Sequence, residues 1–127
     1  MKKIILSLLI GLSLQAQNIV QVTDNDIKTN NTWTSDNQYI LNGLVFVEPG
    51  ETLTIEPGTV IKGKPGQGAN ASALIITRFG KIFAEGTKEN PIIFTAETDD
   101  INDVEDLGSE DKGLWGGVIV LGNAVLN

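Results

Sequence analysis

Two short apolar runs, each followed by Glu-Pro-Gly, constrain the fold of this 127-residue chain more than any other feature. The first run, at 44–47, leads into Glu-Pro-Gly at 48–50, and the second, at 53–55, leads into Glu-Pro-Gly at 56–58. Proline presets φ at the first central position of a β-turn, and glycine supplies the positive φ that the second position of a type II turn requires. The pattern therefore predicts short strands separated by corners, as in a chain that winds a coil with flat faces.

The same pattern returns along the chain at a nearly constant interval. We assign a first coil to residues 39–62, a second to 73–96, and the start of a third to Trp115. The equivalent positions are separated by 28 to 32 residues: Gly50 and Gly80, Gly58 and Gly86, and Val60 and Ile92. Short strands at a fixed period, with insertions confined to corners, are typical of a solenoid.

The predicted fold class is therefore all-β, a right-handed parallel β-helix. Residues 39–127 would form about two and a half coils, and the polar segment 17–38 would be an N-terminal lead-in or cap. The alternative is an antiparallel β-sandwich, which needs tight hairpins between alternating strands. Asn42-Gly43 is the one good hairpin signal, so the β-helix is favoured.

The first sixteen residues have the pattern of a secretory signal peptide. Lys2 and Lys3 precede an apolar stretch at 4–14, which is too short to span a bilayer comfortably, and Ala16 provides a small residue at the cleavage edge. We expect cleavage before Gln17 and a protein that is secreted or held at the outer cell surface.

Charge and cysteine content exclude several classes of partner and attachment. Loss of Lys2 and Lys3 leaves seven basic and sixteen acidic residues, a net charge of −9. This charge argues against nucleic acid and anionic membrane surfaces as partners. The chain has no cysteine for a disulfide or a lipid anchor, and no second apolar stretch long enough to enter a membrane.

The residue types also argue against catalysis. Histidine and cysteine are absent, which removes the commonest general base and the thiol nucleophile. We therefore predict that this chain is not an enzyme, with no catalytic residues and no organic cofactor.

The segment 97–113 is predicted to be an acidic insertion between the second and third coils. Carboxylate oxygens are preferred calcium ligands, and an exported protein meets calcium. The candidate ligands are Asp99, Asp100, Asp103, Glu105 and Asp106. The spacing is not that of an EF-hand, and the alternative interpretation is a solvated surface loop.

Trp115, followed by Gly116 and Gly117, is the candidate ligand-binding residue. An exposed indole could stack on a sugar ring while the glycines allow close approach of the ligand. The alternative, which we prefer, is a tryptophan that packs over the start of a strand, because Trp is usually largely buried.

Several runs resemble a known family. They are Trp33-Thr34, Tyr39-Ile40-Leu41, residues 53–63, Pro91-Ile92-Ile93-Phe94-Thr95-Ala96 and residues 113–124. They are similar to secreted parallel β-helix proteins of Bacteroidetes, whose functions are mostly unassigned and which often carry a C-terminal sorting domain for type IX secretion. The resemblance implies export and a β-helix, and it carries over no catalytic residue. Because an uncapped solenoid exposes its apolar cross-section, we expect this chain to be the N-terminal part of a longer protein.

Two functions follow from these features. The first is a non-catalytic secreted or cell-surface β-helix protein, structural, adhesive or carbohydrate-binding, with polysaccharide or cell-surface components as partners. The alternative is the N-terminal part of a polysaccharide-degrading enzyme whose active site lies beyond Asn127.

Overall fold

The computed structural model describes residues 17–125, and within them the chain forms ten short strands and two single-turn 3₁₀ helices. The 3₁₀ helices are Asp24–Asp26 and Gly68–Asn70. The strands are β1 Asn18–Val22, β2 Asn30–Trp33, β3 Asn37–Leu41, β4 Leu44–Val47, β5 Thr52–Ile55, β6 Val60–Gly63, β7 Ala73–Ile76, β8 Lys81–Ala84, β9 Ile93–Ala96 and β10 Val118–Val120. The predicted signal peptide at 1–16 lies outside the described residues.

The strands form three sheets in which every pair is parallel. Sheet 1 has the order β1-β3-β6-β9, sheet 2 the order β4-β7-β10, and sheet 3 the order β2-β5-β8. One circuit of the chain visits sheets 1, 2 and 3 in turn, as in β3, β4 and β5. The predicted parallel β-helix is confirmed and the antiparallel sandwich is wrong, while the right-handed winding stays a prediction.

The core consists of columns of equivalent side chains. Neighbouring strands lie about 4.8 Å apart and are in register, so each inward side chain packs on its equivalent in the next coil. Val47, Ile76 and Val120 form one such column in sheet 2. Full burial marks the centre of the stack, at Leu41, Val45, Val47, Leu53, Ile61 and Leu74.

The predicted equivalences between glycines are wrong by one or more residues. Thr52 pairs with Lys81, which makes Phe79 the equivalent of Gly50. Both residues have the left-handed backbone conformation of this corner, with φ of 88° at Gly50 and 68° at Phe79. Gly80 is glycine for a different reason, because a Cβ there would lie 2.1 Å from the carbonyl oxygen of Val47.

The corner after sheet 3 was also misaligned by the sequence pattern. Val60 pairs with Ile93 and not with Ile92. Gly58, two residues before Val60, therefore has Pro91 as its equivalent, and the predicted match to Gly86 is wrong. The spacing between equivalent residues of the two coils changes here, because the chain between β8 and β9 is longer than the corner between β5 and β6.

The segment 17–38 is a coil that lacks one strand. Its strands β1 and β2 belong to sheets 1 and 3, which the prediction of a lead-in did not include. The place of a sheet 2 strand is taken by the 3₁₀ helix Asp24–Asp26, and the Asp24 carboxylate accepts a hydrogen bond from the Phe46 N–H at 2.8 Å. The segment therefore caps the sheet 2 edge at β4. No helix within residues 17–125 is long and apolar enough to cross a membrane.

Candidate functional site

The acidic insertion lies between β9 and β10 and is fixed to the outer face of sheet 1. Lys62 on β6 and Thr95 on β9 are partners in the sheet and point outward. The Lys62 Nζ donates to the Asp99 carbonyl oxygen at 2.5 Å, and the Thr95 hydroxyl donates to the Asp99 carboxylate at 2.5 Å. Lys62 is only 8% exposed. Asp99 therefore anchors the start of the insertion to the sheet.

Most of the other carboxylates close turns within the insertion itself. Asp100 Oδ1 accepts from the Asn102 N–H at 3.0 Å, and Asp103 Oδ1 accepts from the Glu105 N–H at 3.0 Å. Asp106 Oδ2 accepts from the Asp100 N–H at 2.5 Å. Short acidic side chains commonly satisfy main-chain donors in this way. Each of these carboxylates uses one oxygen to hold the backbone of the loop.

The calcium hypothesis requires several of these carboxylates to converge on one point. Within residues 17–125 no group of three acidic side chains is arranged to hold a metal ion. Calcium takes six to eight oxygen ligands from converging groups. Calcium binding by Asp99, Asp100, Asp103, Glu105 and Asp106 stays a prediction, and it would require the insertion to rearrange.

Trp115 packs over the end of β6. A Cβ on Gly63 would lie 2.2 Å from Cε3 of the indole, so the ring rests directly on this glycine. The next residue, Gly116, donates its N–H to the Ser72 carbonyl oxygen at 2.7 Å, and a Cβ there would lie 2.8 Å from that same oxygen. The Trp-Gly-Gly run therefore has a packing role.

One side of the half-buried Trp115 also lines a shallow cavity of about 290 Å³. Thr95 and Asp111 contribute polar groups to this cavity, and Leu114 contributes an apolar side chain. The Asp111 carboxylate accepts from the Gly108 N–H at 2.7 Å. Ligand binding at Trp115 stays a prediction.

A larger open cleft of about 430 Å³ lies on the outer face of sheet 3. Its lining residues are Thr54, Ile55, Glu56, Pro57, Phe83 and Glu85. Phe83 is paired with Thr54 in the sheet, and Thr54 with Thr32, so the three side chains form an outward column. The Phe83 ring is 54% exposed. We call this site the sheet 3 cleft.

Two carboxylates line the sheet 3 cleft beside the aromatic ring. Ile55 pairs with Ala84, which places Glu56 and Glu85 immediately after equivalent positions on neighbouring coils. Both glutamates are exposed. The cleft therefore combines an aromatic face, the Thr54 hydroxyl and two carboxylates, a set of groups that can bind a hydroxyl-rich ligand.

The sequence pattern did not predict this site. Residues 82–84 form a short apolar run within the second predicted coil, but side chains alternate along a strand, so Phe83 points opposite to Ile82. An aromatic residue at an outward position was the available signal.

Comparison with known proteins identifies the family. The family described as "Pectate-lyase like beta helix domain" matches residues 25–127, which include both cavities and all strands after β1. The chain belongs to this family. Neither the curated proteins nor the solved structures contain a significant match. Membership in the pectate-lyase-like β-helix family supports the parallel β-helix part of the resemblance, while a Bacteroidetes origin and type IX secretion stay predictions.

Proposed function

We propose that this chain is a secreted or cell-surface, non-catalytic β-helix protein that binds polysaccharide in the sheet 3 cleft. The observation that carries the proposal is Phe83, a half-exposed aromatic ring on an outer face that otherwise presents threonine, asparagine and lysine side chains. Membership in the pectate-lyase-like β-helix family is compatible with a carbohydrate-related role.

The chemistry of the cleft suits a sugar ring. The face of an aromatic ring provides a flat apolar surface on which the C–H groups of a pyranose can stack. Carboxylates accept hydrogen bonds from hydroxyl groups, and charge-assisted bonds of this kind are stronger than neutral ones. Glu56 and Glu85 follow equivalent positions on neighbouring coils. Both can therefore reach one bound ring or two successive rings.

The cleft lies on an open, flat surface. Its volume of about 430 Å³ falls within the range of about 300–1,000 Å³ that is usual for small-ligand sites. Strands about 4.8 Å apart present equivalent side chains at regular intervals, and Thr32 continues the column of Thr54 and Phe83 by one coil. An extended polysaccharide can therefore follow the stack beyond the cleft.

A second candidate function is polysaccharide cleavage, which is favoured by the alignment of Glu56 and Glu85. Glycoside hydrolysis commonly uses two carboxylates on opposite sides of the scissile bond. The acid of such a pair usually lies in a desolvated pocket, whereas both glutamates here are exposed. The binding function is therefore the one that the site supports best.

The test is binding to a panel of soluble and insoluble polysaccharides, measured by affinity electrophoresis and pull-down. Phe83→Ala is expected to weaken binding about tenfold, the equivalent of losing one aromatic stacking contact. Phe79→Ala is the matched control, because Phe79 is 65% exposed on the same coil and does not line the cleft.

Three results would decide against the proposal. No binding to any polysaccharide would overturn it, and equal losses in Phe83→Ala and Phe79→Ala would remove the sheet 3 cleft as the site. The release of reducing ends or unsaturated products from a bound polysaccharide, abolished by Glu56→Gln or Glu85→Gln, would replace binding with the enzymatic alternative.

A further inference from the structure

We propose that the sheet 3 cleft selects neutral polysaccharides and rejects chains of uronic acids, an inference that rests on the proposed function. Among the six lining residues the charged ones are Glu56 and Glu85, and both are acidic. A ligand lying on Phe83 therefore contacts two negative charges and no positive charge from the lining.

The neighbouring charges do not reverse this field. Lys81 is the basic side chain in register beside the cleft, two residues before Phe83 on the same outward side of β8. It does not line the cavity. The net charge is −7 for the whole chain, and −9 after loss of Lys2 and Lys3 in the predicted signal peptide. The long-range potential therefore also opposes an anionic polymer.

For a neutral sugar, the two carboxylates of the cleft are hydrogen-bond acceptors. Its hydroxyls donate to Glu56 and Glu85, which is favourable because hydrogen bonds to ionised acceptors are stronger than neutral ones. A uronate in the same position brings its carboxylate within a few ångströms of a glutamate, where like charges repel at low ionic strength and are screened as salt is added. Discrimination should therefore be largest at low salt.

The outer faces of sheets 1 and 2 differ in chemistry from the outer face of sheet 3. The acidic insertion is held against sheet 1 through Lys62 and Asp99. Sheet 2 presents an outward apolar column of Phe46, Ile75 and Ile119. Selection among polysaccharides is therefore assigned to the charges of the sheet 3 cleft.

The experiment compares two cellulose derivatives that differ mainly in charge, hydroxyethyl cellulose and carboxymethyl cellulose. A second pair, unsubstituted xylan and glucuronoxylan, covers a different sugar. Affinity is measured at about 10 mM and about 500 mM NaCl, where the Debye length falls from about 30 Å to a few ångströms. We expect the neutral member of a pair to bind at least tenfold more tightly at low salt, and the difference to shrink at high salt.

The double variant Glu56→Gln/Glu85→Gln tests the cause. It is expected to raise affinity for the acidic polymer about tenfold at low salt and to leave or slightly weaken binding of the neutral one. The matched control is Glu97→Gln/Glu110→Gln, which removes two exposed carboxylates from the acidic insertion and changes the net charge equally. Circular dichroism verifies that both variants remain folded.

The outcomes separate the two proposals. The inference is supported if the unmodified protein binds the neutral polymer more tightly than the acidic one, if the cleft variant loses this preference, and if the control variant keeps it. Equal or tighter binding of the acidic polymer by the unmodified protein overturns the inference and leaves carbohydrate binding intact. Equal effects of the two double variants also overturn it, because the selectivity would then come from net charge. Failure to bind any of the four polymers, or others in the panel, overturns both.

Discussion

The two ends of the coil stack are built from the same repeating strands but finish differently. At the first end the 3₁₀ helix Asp24–Asp26 covers the edge of β4, and the inward side chains Val22, Ile27 and Trp33 are 7% exposed or less. At the other end β8, β9 and β10 are the last strands of their sheets within residues 17–125, and the inward Val120 is 64% exposed. A repeat is stable where it has a neighbour on each side, so an end needs an additional device.

The first end contains such devices in its polar residues. The Trp33 and Tyr39 rings stack with centroids 4.8 Å apart at an angle of 17°. The Tyr39 hydroxyl accepts a hydrogen bond from the Thr34 N–H at 2.9 Å, and Asp24 satisfies the Phe46 N–H. The polar segment 17–38 therefore caps this end because its side chains, with Tyr39, satisfy specific main-chain donors.

The largest expected effect is the difference between two valines of one column. Val47 is fully buried and Val120 is 64% exposed, although both flank Ile76. Val47→Ala should destabilise the protein by about 2–3 kcal/mol, from lost transfer free energy and the cavity left behind. Val120→Ala should cost less than about 0.5 kcal/mol. Urea unfolding measures both.

Equal losses for the two valines would contradict the contrast between the ends. Such a result would mean that Val120 is covered in solution, and sedimentation would then reveal association of the protein through this end.

A smaller effect is expected at the capped end. Asp24→Ala leaves the Phe46 N–H without its acceptor and should cost about 1 kcal/mol. Asp24→Asn keeps an oxygen acceptor in the same place and should recover most of this loss. Hydrogen exchange at the Phe46 amide gives a local measurement, because exchange should accelerate in Asp24→Ala. Unchanged protection of this amide would show that the cap does not depend on Asp24.

The sequence predicted the fold well because its signals are local. Apolar runs at 44–47 and 74–76 with Pro-Gly corners between them indicate strands and bends without reference to distant residues. Register is different, since it depends on which residues approach across a whole coil. The glycine pattern predicted Gly80 as the equivalent of Gly50, whereas the register of the sheet makes Phe79 its equivalent. Gly80 is needed for its close approach to Val47.

The candidate site was harder to predict for the same reason. Glu56 and Glu85 are 29 residues apart, and only the register of β5 with β8 aligns them. Trp115 and Gly63 are separated by 52 residues, and no sequence pattern predicts that the indole packs on that glycine. Alternation along β8 does predict that Phe83 points outward, so the aromatic part of the site was within reach of sequence reasoning.

The corner equivalence provides a third prediction. A left-handed conformation is unfavourable for a residue with a Cβ, so Phe79→Gly should stabilise the protein by about 0.5–1 kcal/mol after the entropic cost of glycine. At the equivalent corner Gly50→Ala should destabilise it by about 1 kcal/mol. Thermal unfolding of both variants tests the equivalence, and changes of the same sign would contradict it.

The smallest expected effect is the contribution of Asp26, at the capped end, to the pH dependence of the free energy of unfolding. The Thr23 backbone N–H, at 2.8 Å, and then the Thr23 hydroxyl, at 2.7 Å, donate to the Asp26 carboxylate and lower its pKa below the ordinary value of 3.8. The folded state therefore binds this proton less tightly than the unfolded state. The resulting stabilisation is present above pH 3.8 and is lost as the pH falls through the folded-state pKa.

Asp26→Asn isolates this contribution from the other carboxylates. The difference in unfolding free energy between the unmodified protein and Asp26→Asn should be constant near neutral pH and shrink as the pH falls below 3.8, the ordinary pKa of this group. Denaturant unfolding from pH 7 to pH 2 measures it. Asp36→Asn is a control at an exposed acidic residue outside the 3₁₀ helix. A difference for Asp26→Asn that does not change with pH would mean that the Thr23 hydrogen bonds do not distinguish the ionised from the protonated carboxyl.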